Sequence, residues 1–428
     1  MSRSLFHHTY FVLGFQHQIQ TRKVLTNCCN TNLMNYVYAG RDAVKTIFKI
    51  NTDNRNNNFN LIRFLAATTV LYSHSFISVI GDIRADPLYF RIKMTGGGIA
   101  VDIFFLISGF LIVRSLLKRS SIKAFIWSRL LRIYPALVVA ILFIVFIIGL
   151  IFTKLPVSEY LSNSGTYRYL IKNIFTVNAI RDSLPGVFTN VPFKNIISGQ
   201  LWTLPYEVMM YGIMAGLGLF FLCFKNKLYT PVFQDKSCFC FSVLSRYLTL
   251  LAMNLSKNKL RCIKFTVLFL FTVSFSLNII YHFYPSVSSI YTRLFIRFFS
   301  LFFTGATAYM YREKLYFSFW LVLPAVLILA ASTFQKDVFF VVYCITLPYL
   351  VFYIAYVPIN FLHNFNKFGD YSYGIYIYAF PIQQSVISLL PKITIIGMTI
   401  LSFCITFILA FLSWHIIEKN ALKLKNKI

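Results

Sequence analysis

Ten times between Phe59 and Ile416 the chain runs apolar for long enough to cross a hydrocarbon core of about 30 Å as a helix of roughly 20 residues. The runs fall at 59–80, 98–117, 134–153, 200–224, 263–284, 289–310, 316–333, 338–357, 372–391 and 394–416. In lipid a backbone must satisfy its own hydrogen bonds, so repeated runs of this length dictate helices. A soluble chain of 428 residues would need a charged exterior, and here 57% of residues are hydrophobic and only 13% charged. The expected fold is all-α, a polytopic transmembrane helical bundle of about ten spans whose first partner is the lipid bilayer.

Basic loops set the orientation. Lys118, Arg119, Lys123, Arg129 and Arg132 fall on one side in a ten-span count. With them fall the basic residues of 225–264, Arg312 and Lys314, and the tail residues Lys419, Lys423, Lys425 and Lys427. Both termini are then cytoplasmic, and 154–199 is the long external segment. Residues 1–58 read as a polar cytoplasmic arm without a signal-peptide pattern, 59–420 as the membrane domain, and 421–428 as a basic tail. The segment 237–254, with Arg246 in its middle, is expected to be an amphipathic surface helix.

The formal net charge of +28 would suggest nucleic acid in a soluble protein. Cytoplasmic loops account for the excess instead, so no nucleic-acid partner is expected. The eight cysteines imply no disulfide framework, and Cys238 and Cys240 form a lone pair without further metal ligands, so no metal is expected. No internal repeat is visible, which weighs against a transporter built from two halves.

Ionisable groups inside a span are costly and mark candidate sites. Arg63 and His74 are eleven residues apart on the first span; at 100° per residue that is 1100°, three turns plus 20°, so they share a face about 16 Å apart along the axis. A cation near the inner surface with a titratable base deeper in the bilayer suits a donor with anionic phosphates at one end and a reactive group at the other, as in acyl-CoA. The plainer alternative is a snorkelling Arg63 and a His74 bonded to a neighbouring helix. Asp102, behind Gly96-Gly97-Gly98 on the second span, must face protein or water, and a cap or a local ion pair would serve it. Arg129 and Arg132 share a face before the third span, placed either to bind phosphates or simply as positive-inside residues. Glu207 lies just beyond Trp202 and Pro205 in the fourth span; Pro205 is expected to kink the helix. That carboxylate would orient His74, bind a sugar hydroxyl, or pair with Arg293 or Arg297. His282 and His415 sit at span ends, where an interfacial role suffices.

Taken in order, these segments resemble the acyltransferase-3 family, the OafA-like integral membrane O-acyltransferases of bacterial envelopes. The resemblance covers roughly 59–420. It rests on Arg63 and His74 with ten residues between them, Val101-Asp-Ile-Phe-Phe-Leu-Ile-Ser-Gly-Phe110, and Arg129-Leu-Leu-Arg-Ile-Tyr-Pro135. Leu201-Trp-Thr-Leu-Pro-Tyr-Glu207, Phe368-Gly-Asp-Tyr-Ser-Tyr-Gly-Ile-Tyr-Ile-Tyr-Ala-Phe-Pro381 and Ile417-Glu418-Lys419 complete it. Ala379 stands where many members carry a His, and Asn420 where a Pro is frequent, so no second catalytic histidine is expected in the ninth span. The hydrolase-like domain that follows in some relatives has no counterpart here, so the membrane domain is expected to act alone or with a separate partner.

The resemblance implies transfer of an acyl group, usually acetyl, from cytoplasmic acyl-CoA to a hydroxyl of an envelope glycan or lipid-linked oligosaccharide, such as the O-antigen of lipopolysaccharide. Acetyl-CoA is then a donor substrate and no cofactor stays bound. The protein is placed in the cell's inner membrane as a multi-pass chain. In this reading Arg63, Arg129 and Arg132 hold the donor phosphates, His74 takes the hydroxyl proton, and Trp202, Glu207 and Asp102 orient base or sugar. A glycan flippase or other membrane transporter is the alternative from another class; it needs no acyl donor.

Overall fold

The computed structural model describes residues 57–119, 121–175, 182–226, 241–357 and 360–426, with side chains described outside 221–259, 360–361 and 426. Residues 1–56 of the expected arm lie outside this set, as do Cys28, Cys29, Cys238 and Cys240 and the first residues of the 237–254 segment. Every described element is helical apart from an isolated bridge between Thr153 and Val187.

A helix occupies most of each of the ten apolar runs. In chain order they are α1 (Phe59–Ile80), α2 (Gly96–Lys118), α3 (Ile122–Phe143), α4 (Leu204–Asn226) and α5 (Phe241–Phe283). They continue with α6 (Ile290–Met310), α7 (Phe319–Ser332), α8 (Lys336–Tyr356), α9 (Ser372–Leu389) and α10 (Ile395–Leu412). Through a π-turn at Ile144–Ile148, α3 runs on to Phe152, and through another at Ser413–Glu418, α10 runs on to Lys423. Among the described residues five helical stretches are long and apolar enough by themselves to cross a membrane: Gly96–Lys118, Ile122–Phe152, Leu260–Phe283, Lys336–Tyr356 and Ile395–Lys423. The first run is diluted by Arg63, Thr68, Thr69, Ser73, His74, Ser75 and Ser78, polar groups that need protein neighbours rather than lipid.

Two sequence expectations are corrected. Residues from Phe241 onward do not form a separate surface helix; they are the first part of α5, a single helix of 43 residues. At about 1.5 Å per residue it is some 65 Å long, more than one bilayer crossing needs, and its apolar span is Leu260–Phe283. Pro205 does not kink a helix interior. A 3₁₀ turn at Leu201–Thr203 gives way to α4 at Leu204, so the proline occupies the first helical turn, where its missing N–H costs nothing.

Helices α2 and α9 form the centre. Residues Ser372–Ile387 of α9 are all buried, and 67% of the apolar window of α2 is inside the protein, against 17% for α5 and 22% for α10, whose flanks are left for lipid. The closest packing joins α2 to α6. A Cβ on Gly109 would lie 1.8 Å from the Phe302 carbonyl oxygen, and one on Gly305 would lie 2.0 Å from that of Leu106. Two glycines facing each other's backbones let the helices touch where lipid offers no hydrophobic drive to bring them together. Helix α9 packs on α1 and α10, and the latter meets it where Gly374 abuts Ala410.

Candidate active site

At the end of the bundle that holds the start of α1, four elements bring charges together. Arg63 projects from α1, Arg132 from α3, Asp370 from the loop before α9, and Glu418 from the continuation of α10. One carboxylate oxygen of Asp370, Oδ2, accepts from both Arg63 Nη1 and Arg132 Nη2 at 2.5 Å each, while Oδ1 accepts from Ser372 Oγ at 2.5 Å. Glu418 lies 3.9 Å from Arg132 Nη1 and is also bonded by Ser413 Oγ. Asp370 is buried, which alone would raise its pKa, but the charges of Arg132 and Arg63 outweigh burial and hold the carboxyl well below its ordinary range. The adjoining Gly369 has φ +117°, and a Cβ there would lie 2.4 Å from Trp414 Nε1. Glycine is what allows the loop to turn Asp370 inward.

The cluster borders a cavity of about 90 Å³, enough for several water molecules or one end of a larger ligand. Arg63, Arg129, Arg132, Glu207, Tyr211 and Tyr373 supply its polar wall, and Phe104, Phe105 and Ile107 of α2 its apolar one. Glu207 does not pair with Arg293 or Arg297. It accepts from Tyr211 Oη one turn along α4, and Arg293 instead donates to the carbonyls of Pro285 and Ser288. Arg129 has no carboxylate within ion-pair distance among the described residues; its neighbours are Ser128 Oγ at 3.3 Å and the Tyr211 ring at 5.9 Å.

His74 does not line this cavity. It stands edge-on to Phe380 of α9, with ring centroids 5.2 Å apart, and its buried Nδ1 has no hydrogen-bond partner. Arg63 and His74 thus turn toward the same side, Arg63 to Asp370 two residues before α9 and His74 to Phe380, ten residues further along. Around His74 the packing is polar. Gln383 Nε2 donates to the Leu71 carbonyl and to Ser75 Oγ, and Ser73 Oγ donates to Asp86 Oδ2, which also accepts from the Gly96 amide.

Two other sequence candidates stand apart from the cavity. Asp102, fully buried, is gripped by Arg297 Nε and Nη2 at 2.9 and 2.6 Å and by Tyr343 Oη at 2.7 Å, so its role is to tie α2 to α6 and α8. Trp202 is 41% exposed and packs on Tyr206 and Phe298. His282, bonded to Asp337 at 3.0 Å and stacked on Phe340, and His415, bonded to its own helix, sit at helix ends. Sequence reasoning missed Asp370 and Glu418 as site residues. Both lay just outside apolar runs, yet with only 13 acidic residues in the chain each was a candidate counter-ion for an arginine inside one.

An apolar helical bundle enclosing an arginine–carboxylate centre at one end and a buried histidine further along defines a membrane protein with polar chemistry inside it. The chain belongs to the acyltransferase-3 family, whose acyltransferase domain matches residues 56–417. An O-acetyl transferase of Shigella phage Sf6 is 29% identical over 380 residues, 86% of this chain and 96% of the relative. Nodulation protein 10 of Rhizobium leguminosarum bv. viciae is 34% identical over 164 residues, 36% of this chain and 42% of the relative. No solved structure matches significantly.

Proposed function

We propose that this membrane acyltransferase moves an acetyl group from cytoplasmic acetyl-CoA to a sugar hydroxyl of a cell-surface polysaccharide such as O-antigen. In this reading ten helices span the inner membrane and both termini are cytoplasmic. The observation that carries the proposal is the arginine-walled cavity at the end of α1 where Arg63 lies, with His74 on the same helix and the same side. The resemblance to a phage O-acetyl transferase along nearly all of that relative supports the acetyl group and the hydroxyl acceptor.

The donor's phosphates bind in and around the cavity, and its flexible arm carries the thioester along α1 toward His74. There the imidazole takes the proton of the attacking sugar hydroxyl. The new carbon–oxygen bond forms, the carbon–sulfur bond breaks, and the proton held by His74 passes to the departing thiolate. A buried Nδ1 without a protein partner is free to make the bond that this step requires. Glu207 keeps Tyr211 and the cavity wall in place, while Asp102 acts from a distance by fixing α2.

The test compares glycans of a host making the intact protein with those of one making His74→Ala at matched membrane levels. O-acetyl signals in NMR or mass spectra are expected from the intact protein alone. Persistence of acetylation in the variant would remove His74 from the mechanism, and absence from both hosts would favour a carrier.

A further inference from the structure

Two of the three cavity arginines already have a counter-ion. Asp370 takes Arg63 and Arg132, and Glu418 lies near the second. Arg129 does not share this arrangement. Its surroundings gather further positive charge: Arg119, at the C-terminal end of α2, bends back to donate to the Ala124 carbonyl at 3.4 Å over the first turn of α3. The stretch Lys419–Asn426 lies against α3 as well, and Trp127 Nε1 donates to the Leu424 carbonyl at 3.3 Å. This bond fixes Lys425 beside the turn of α3 that carries Arg129. No carboxylate lies within ion-pair distance of Arg119, Arg129 or Lys425 among the described residues.

The Lys425 ammonium feels this crowding. Burial, then repulsion from Arg129, Arg132 and Arg119, brings its pKa down to about 8, with Asp370 as a lesser opposing influence. Glu207 and Tyr211 act on Arg129 without an ion-pair contact, and partly buried cations held together with no carboxylate in contact gain most when an anion arrives. Their position at the edge of the cavity makes the expected anion one that also enters it.

We propose that Arg119, Arg129 and Lys425 form a phosphate-binding rim, closed by the Trp127–Leu424 bond, that holds the phosphates of the acyl donor while Arg129 leads the rest of it into the cavity. This rests on the donor reading above and adds a site from two elements outside the cavity wall. A flexible ammonium and two guanidinium forks suit several phosphate oxygens at once.

Phosphate can also come from anionic lipid headgroups, so the test separates the two sources. The full chain is placed in nanodiscs of phosphatidylcholine alone or with phosphatidylglycerol. Equilibrium binding of CoA, of 3′-dephospho-CoA and of inorganic pyrophosphate is measured for the intact protein, Lys425→Ala and Lys425→Arg. In phosphatidylcholine, Lys425→Ala is expected to weaken CoA binding five- to tenfold, with a smaller change for at least one of the truncated probes, and Lys425→Arg to restore it within about twofold. Equal binding by the intact protein and Lys425→Ala would overturn the rim. So would failure of CoA to bind the intact protein, or an effect of Lys425→Ala seen only with phosphatidylglycerol, which would assign the cations to lipid. Because binding is read without turnover, failure of acyl transfer in the glycan assay would sink the reaction and leave the rim to be judged by these measurements.

Discussion

The central residue of the site is one that no helical pattern singles out. Asp370 holds two arginines from two helices on a single oxygen, so removing its charge leaves two guanidinium groups facing each other. Asp370→Asn is expected to destabilise the protein by roughly 3 kcal/mol, the usual cost of stripping one partner from a buried ion pair, read as a lowered thermal midpoint in detergent. It should also abolish O-acetylation, because Arg63 and Arg132 would no longer keep the cavity wall in place. Asp102 gives a contrasting case: it does not line the arginine-walled cavity, and its pair with Arg297 is structural. Asp102→Leu alone should therefore destabilise strongly, whereas Asp102→Leu combined with Arg297→Leu should recover much of the loss. Arg63, His74 and Glu207 were legible as candidates because an ionisable group in an apolar run is conspicuous, and Arg129 and Arg132 because they share a face just before one. Their partners were not. The Arg63–Asp370 contact joins positions 307 residues apart, and no local periodicity carries that information.

Among the elements, helix existence was the most legible feature and helix context the least. The first run, 59–80, coincides with α1, since length and apolarity settle a helix locally. The continuity of α5 through its basic stretch and the place of Pro205 in a first turn depended on what adjoins each segment. Glycine roles divide in the same way. Gly109 and Gly305 sit where α2 and α6 touch backbone to backbone, whereas a Cβ on Gly212 of α4 would meet nothing within 4 Å. Gly109→Leu is expected to cost folded protein outright, as loss of the monodisperse peak in size-exclusion chromatography. Gly212→Ala should be tolerated, or gain up to about 1 kcal/mol in the same host because alanine favours helix.

The whole molecule is a bundle whose centre, α2 and α9, is protein-lined and whose edges, α5 and α10, face lipid. If the proposed ten spans and cytoplasmic termini hold, a cysteine placed at Glu159 in an otherwise cysteine-free variant should react with an impermeant maleimide on intact cells. One at Lys314 should react only after the membrane is opened. Reversal of this pattern would overturn the orientation read from the basic loops.

The separation of Arg63 and Arg132 from Asp370 has a consequence for how such a molecule comes to exist. At a synthesis rate of about 5–20 residues per second, the 307 residues between Arg63 and its carboxylate take roughly 15–60 s to emerge. During that interval α1 and α3 are made, and their guanidinium groups have no Asp370 to pair with, so the polar bilayer surface must solvate them. The charged centre is therefore among the last parts of the protein to assemble. Its completion requires the arriving Asp370 to replace solvent at the surface as the partner of helices made long before it.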